Sequence, residues 1–381
     1  MKKALHSVIP ALAVLASAAA MVLPAAAGDG RIPLYQPTVI AQPGSYVVTR
    51  NISSSTGPIF DIQAHGVTLD LGGHTLSVSG VAAPALKISS LGGIDPEPFR
   101  LLNGSIIGGL HGLHAPMGIN PCMRLSNLSF RGQAGTGIKL EGIKSLEATG
   151  IIVVETRVGI EISPPPADEM PMVRIREAQI RANGGIHCTN AVCSIRDSSL
   201  RIVPPADGTA NTPAILFNGA RGEAVGIIVV DTMPVGLSPV LDLRDSEGII
   251  VVETNVGVIG APGAGAGAPC LSADAMTKGL SIVGGSFTGC GGDGIVLMAW
   301  HSSISGSLIS GNRRNGVFLD GSDNLVRDVR IASNGGAGIW FEAGRHIYMG
   351  NVLRGNGGPG GEMPLDGPAL AEATDGGGNI P

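Results

Sequence analysis

The sequence predicts an all-β solenoid wound in coils of about 22 residues, and three observations carry that prediction. Asn312, Asn334 and Asn356 recur at one spacing, with Cys290 in the same place one repeat earlier. The neighbouring columns keep step: Phe287, Ile309, Ile331 and Leu353, then Ile295, Val317 and Ile339, then Leu297, Leu319 and Phe341. Between them lie short β-branched runs and turn residues. So short a period cannot hold two packed helices. It suits one coil of a solenoid that buries its apolar positions only against neighbouring coils. An Asn repeated at a turn fits, because Asn tolerates left-handed backbone and stacked amides can bond to one another and to the turn.

Residues 1–27 have the form of a secretory signal peptide: Lys2 and Lys3, an apolar Ala-rich stretch, and the small residues Ala25, Ala26 and Ala27. This predicts a secreted or periplasmic protein with no membrane span. Residues 28–59 follow as an irregular lead-in with Pro33, Pro37 and Pro43 and a strand at 45–49, expected to cap the open sheet edge of the first coil. The first clear coil is at 66–76, where Val67, Leu69 and Leu71 alternate with Thr68 and Asp70 before the turn Gly72-Gly73. Further coils are expected at 101–108, 123–140 and 143–162.

The run Gly-Ile-Ile-Val-Val-Asp/Glu-Thr starts at Gly150, Gly226 and Gly248, and the last two copies stand one 22-residue period apart. Pro164-Pro165-Pro166, Pro204-Pro205 and 260–268 read as protruding loops. The helix is expected to occupy 60–361, about 12 coils or roughly 60 Å at ~4.8 Å per coil. The Gly-, Pro- and acid-rich residues 362–381 read as a flexible tail. Cys188 pairs with Cys193 and Cys270 with Cys290 on spacing, leaving Cys122 free; buried thiols in stacking columns are the alternative.

The formal charge of −5, two units more negative without Lys2 and Lys3, and the lack of a basic run argue against nucleic acid as a partner. Charged residues make up only 14% of the chain and aromatics 3%, so few aromatic faces are available to a sugar-binding cleft.

Val67-Thr-Leu-Asp-Leu-Gly-Gly-His-Thr-Leu76, Asn315-Gly-Val317 and Gly338-Ile339 resemble the opening coil and repeat core of right-handed parallel β-helix proteins of the pectate-lyase-like group. The resemblance covers about 60–360 and implies the fold, not an activity. The group's catalytic signatures are missing: there is no Asp-Asp, no Gly-His-Gly and no Trp-X-Asp-His. Asp95-Pro-Glu-Pro98 lacks the His of the epimerase motif.

The candidate site lies on the last coils. Alternation turns Val296, Phe318 and Trp340 outward in one stack, Met298, Asp320 and Glu342 in the next, and puts His301, Asp323 and Arg345 together at a turn. Asp320, Glu342 and Arg345 are the candidate catalytic residues. Phe318, Trp340, Trp300, His301 and Asp323 are the candidate substrate contacts. An aromatic platform beside paired carboxylates suits a sugar chain. The carboxylates could act as acid and base or hold calcium, the one cofactor the pattern suggests, and Arg345 could offset a uronate or enolate charge. The competing reading is that Phe318 and Trp340 lie under the C-terminal tail.

His111 and His114, with Met117 and Cys122, form a loose soft-metal set that is similar to copper-associated β-helix proteins, weighed against two loop histidines. Asp70 and His74 read as turn residues. The expected protein is thus a secreted or periplasmic monomer that binds a polysaccharide, with processing by lyase, epimerase or hydrolase chemistry left open. The alternative is a non-catalytic, adhesin-like rod.

Overall fold

A computed structural model describes residues 30–89, 97–118, 121–164, 170–203, 212–231, 238–258, 267–358 and 363–381. The chain is a parallel β-solenoid of about 12 turns. Each coil lays one short strand on each of three faces, as in Gly44–Val48, Ile52–Ser54 and Phe60–Ile62. Every strand pairs in parallel with its equivalent in the next coil. Among the described residues fourteen strands stack on the third face. The first and second faces merge into one 25-stranded sheet, because Phe99–Gly108, Cys122–Arg131 and Ser145–Val154 cross both without a break.

The corner between those two faces needs one left-handed residue per coil. Asn103, Asn127, Gly150, Glu177, Asp197, Gly226 and Glu253 fill it in register, with φ from 48° to 64°. A side chain there costs of order 1 kcal/mol. Asn103 and Asn127 offset part of it, since Asn127 donates to Asn103 and Asn103 to Asp70.

This corner corrects the repeat reading. The copies at Gly150 and Gly226 form second-face strands, Ser145–Val154 and Ile228–Asp231, whereas the copy at Gly248 forms Ile249–Val252 on the first face. A left-handed glycine followed by a four-residue apolar strand fits either corner. The spacing of the last two copies is therefore not one coil. Coil length stays at 22 from coil to coil where Asn312, Asn334 and Asn356 stack. Upstream the equivalent separation rises to 29 at Ser194–Glu223 and 31 at Ser246–Thr277.

Inside, like lies over like. Leu101, Leu125, Ala148, Ile175 and Ile195 form one buried column of the first face. The columns of Phe287, Ile295 and Leu297 stack as the sequence predicts, and all are buried. Each such side chain contributes about 1.5–3 kcal/mol on burial.

The three Asn side chains are buried and run as a ladder. The Asn334 carboxamide oxygen accepts from Asn312 N and Nδ2, both at 3.0 Å, and Asn356 does the same for Asn334 at 3.2 and 2.9 Å. Each Nδ2 also reaches a carbonyl in the preceding coil: Phe287, Ile309 and Ile331. The left-handed residues expected at these Asn sit one position earlier, at Gly311, Ser333 and Gly355. Asn is selected here for its amide and not for its backbone.

At the N-terminal end the expected lead-in is built as coil, with Ile32–Leu34 on Gly44–Val48 and Thr38–Ile40 on Phe60–Ile62. Residues 363–381, read from composition as a tail, are laid on the last coil. Leu365–Asp366 pairs with the third face, Thr374–Asp375 with the first, and Ile380 bridges to Val352 on the second. Asn379 extends a second amide ladder by accepting from Asn351 N and Nδ2. Both disulfides form as expected, Cys188–Cys193 and Cys270–Cys290, and Cys122 is free. The signal sequence and most of the three expected loops lie outside the described residues. Among those described, no helix is long and apolar enough to cross a membrane.

Candidate functional site

The third face presents one outward residue per coil from each three-residue strand core, and this column is in register along the molecule. Its C-terminal part is the predicted platform: Val296, Phe318 and Trp340 pair in order, each half-buried, and Asp366 follows above Trp340. The C-terminal segment therefore continues the stack and does not lie across the aromatic faces. Asp320 and Glu342 stand exposed one residue beyond, and the Trp340 indole donates to Glu342 Oε2 at 2.8 Å.

His301, Asp323 and Arg345 meet at the neighbouring corner. Asp323 lies 3.7 Å from His301 Nε2 and 4.0 Å from Arg345 Nη2, and Arg345 is 80% exposed. Such solvated pairs hold one another weakly. Trp300 is not brought to the platform. It is exposed in a corner column between Lys278 and Ser322. Behind Arg345 the buried His346 donates Nε2–H to Ala343 O, while Nδ1 has no partner. Burial pushes this imidazole down from its ordinary pKa.

Sequence reasoning missed the polar half of the same column. Toward the N-terminus the outward positions become Asp242, His187, Glu161, Lys139 and His114, joined by in-register pairing through Leu216. These residues are half-buried or buried and they are connected. Glu141 takes Lys139 Nζ at 3.0 Å on Oε1 and His114 Nε2 at 3.1 Å on Oε2. Burial alone would raise Glu141; the bonds from Lys139 and His114 outweigh it and hold the carboxyl below its usual range. Thr136 Oγ1 donates to Glu161 at 3.1 Å.

His111 Nδ1 accepts from the Thr136 backbone N–H at 3.1 Å, which places its proton on Nε2. Burial first, then the neighbouring His114 and Lys139 charges, lower its pKa to about 4. His111 is thus a neutral donor at pH 7, and His114 is an imidazole oriented by a carboxylate. His187 is kept neutral by burial, with Nε2 on Pro213 O. Asp242 is buried and held by Arg244, whose own pKa its bond raises.

The soft-metal reading of His111 and His114 does not assemble. Their rings are 5.2 Å apart, but their ring nitrogens go to Thr136 and Glu141, and Met117 is exposed. Among the described residues no group of three or more His, Cys, Asp or Glu side chains is placed to hold a metal. The separations that stack the connected set vary between 22 and 29 residues, so no fixed period reveals the column.

Comparison with known proteins agrees on architecture. The family model described as a right handed beta helix region matches residues 262–363. No curated protein matches this chain. Among solved structures, the C387A mutant of DFA-IIIase from Arthrobacter chlorophenolicus A6 in complex with DFA-III is 13% identical. It covers 78% of this chain and 84% of its own at a TM-score of 0.51. The catalytic unit of the thermostable GH87 alpha-1,3-glucanase from Streptomyces thermodiastaticus strain HF3-3 is 14% identical over 91% and 64%, TM-score 0.40. The A-module of the mannuronan C-5 epimerase AlgE6 from Azotobacter vinelandii is 11% identical over 89% and 88%, TM-score 0.33. At these identities the likeness concerns the fold alone.

Proposed function

We propose that this right-handed parallel β-helix protein binds a polysaccharide outside the cytoplasm, laying the sugar chain along the third face. The observation that carries the reading is the continuous, half-buried outward column. It ends in Val296, Phe318 and Trp340 with Asp320 and Glu342 alongside. Sugar rings present apolar faces and hydroxyl edges, so aromatic stacking beside carboxylates matches both. A column repeating every ~4.8 Å gives a polymer a contact at each coil.

In this reading Phe318 and Trp340 are the platform, with His301, Asp323 and Trp300 at its margin. Asp320 and Glu342 act on the bound chain as acid and base or hold a calcium ion, and Arg345 offsets developing negative charge. The polar stretch of His111, His114, Lys139, Glu141 and Glu161 supplies a second, better shielded place for proton transfer on the same track. A non-catalytic rod remains the competing reading, and the bond between Trp340 and Glu342 favours it by occupying one carboxylate.

Glycan-array binding by the full chain, followed by ultraviolet detection of unsaturated product on uronate polymers, tests the proposal. Trp340→Ala should lose about tenfold in affinity, roughly 1.4 kcal/mol. If that variant and the unaltered protein bind the same glycans equally, the platform is not the site.

A further inference from the structure

Five arginines with no pattern in sequence meet on two successive coils, away from the third face. Arg174 and Arg176 are alternate outward residues of Met172–Arg176 on the first face. Arg196 lies in register with Arg176, and on the second face Arg201 lies in register with Arg181. Like charges stacked a strand spacing apart work against folding. Among the described residues only Arg196 is ion-paired, with Glu223, whose Oε1 accepts from Arg196 Nε at 2.8 Å and from Ser194 Oγ at 2.6 Å and whose charge also acts on Arg176. The Ser194 bond is the largest influence holding Glu223 below the usual carboxyl range, against burial and with help from Arg196. Arg174, Arg176, Arg181 and Arg201 have no ion-pair partner among the described residues. Glu147, one coil from Arg174, is engaged by Arg124 at 3.3 Å.

The first-face arginines line a shallow depression of about 540 Å³ together with Ser194, Gly222 and Glu223. At Gly222 φ is +130° and a Cβ would run into the Cys193 carbonyl, so this position admits no side chain. We propose that this depression is a second binding site, in which Arg174 and Arg176 grip the carboxylates of an acidic sugar chain beside the Arg196–Glu223 pair. The sugar half of this proposal rests on the polysaccharide reading above; the carboxylate half rests on the arginines alone.

Planar guanidinium forks match carboxylates two bonds at a time. The spacing of the forks, about 7 Å along a strand and ~4.8 Å between coils, suits charges set one per sugar. Glu177, Asp197 and Glu223 are interspersed among the arginines, and the molecule carries −5 overall. A duplex nucleic acid, with one charge per ~1.7 Å, would meet those acids repeatedly.

The test is titration calorimetry of the full chain with oligogalacturonate, its methyl ester, polyglutamate and duplex DNA, at low and raised salt. Oligogalacturonate should bind in a salt-sensitive way, the methyl ester should not, and Arg174→Gln/Arg176→Gln should weaken binding at least tenfold. The double Lys variant at these positions keeps the charge and loses the fork, so it should fall between. Trp340→Ala should leave this binding in place. Unchanged affinity in the double Gln variant, equal binding of the methyl ester, or tighter binding of polyglutamate or DNA overturns the site. Loss of oligogalacturonate in Trp340→Ala alone would move the ligand to the third face, overturning this site while sparing the polysaccharide function. If neutral glycans bind at Trp340 and no acidic chain binds anywhere, the proposed function stands and the arginine site fails.

Discussion

The four coils from 285 to 358 and the coils between 101 and 231 share one architecture but hold themselves together differently. In the C-terminal set every coil has the same length, so identical side chains meet. Asn amides satisfy the backbone of the coil before them, and the outward column becomes aromatic. In the middle set coil length varies, and among the described residues the buried polar side chains are Gln133, Thr136, Thr156 and Ser198 in place of stacked Asn. There the corners are held by Ser198 and Thr156 on local carbonyls and by the Cys188–Cys193 disulfide. The outward column carries acids, bases and imidazoles. Regularity lets the chain satisfy buried polar groups by repetition. Irregularity lets it collect different functional groups on one face.

The largest effect expected from this contrast is at Asn334. Replacing it with Leu removes the partner of the buried Asn312 N–H, one of the two partners of the Asn312 amide and the amide donor to the Ile309 carbonyl, at about 2–4 kcal/mol. Denaturant melts should show the loss, and hydrogen exchange should confine it to residues 285–358, because solenoid coils depend on their neighbours. Protection lost equally in the middle coils would break the comparison.

Next come the disulfides. Cys270–Cys290 closes 20 residues where the irregular set meets the regular one, and Cys188–Cys193 closes 5. Replacing the first pair with Ala should cost about 3 kcal/mol and the second about 2. The reverse order in thermal melts would show that the boundary needs no staple.

The middle region should also be acid-sensitive. His111 and His187 are both held below their ordinary pKa by burial, so the unfolded chain takes up more protons. Their contribution is fully present above about pH 6.5. It is lost as pH falls, for His111 down to about 4. The melting temperature should drop by several degrees over that window, and His111→Gln should flatten part of the slope. A melting temperature indifferent to pH between those limits would remove the claim that His111 is neutral.

The smallest effect is at the exposed corner. Arg345→Ala should change stability by less than ~0.5 kcal/mol, since its pair with Asp323 is solvated. Any large change in melts would mean that Arg345 is structural and weaken its candidacy as a functional cation.

Sequence determined the solenoid, the stacked apolar columns of the C-terminal coils, the in-register platform of Val296, Phe318 and Trp340, and the two disulfides. Each depends on residues one fixed period apart or on short spacings, and periodicity survives in one dimension. Tertiary structure alone decided that Gly248 starts a strand on a different face from Gly226, and that 363–381 completes a coil. It also decided that Glu141 sits between Lys139 and His114. Those outcomes turn on how many residues each corner absorbs. A corner of variable length shifts register without leaving a mark in the composition of the strands it joins.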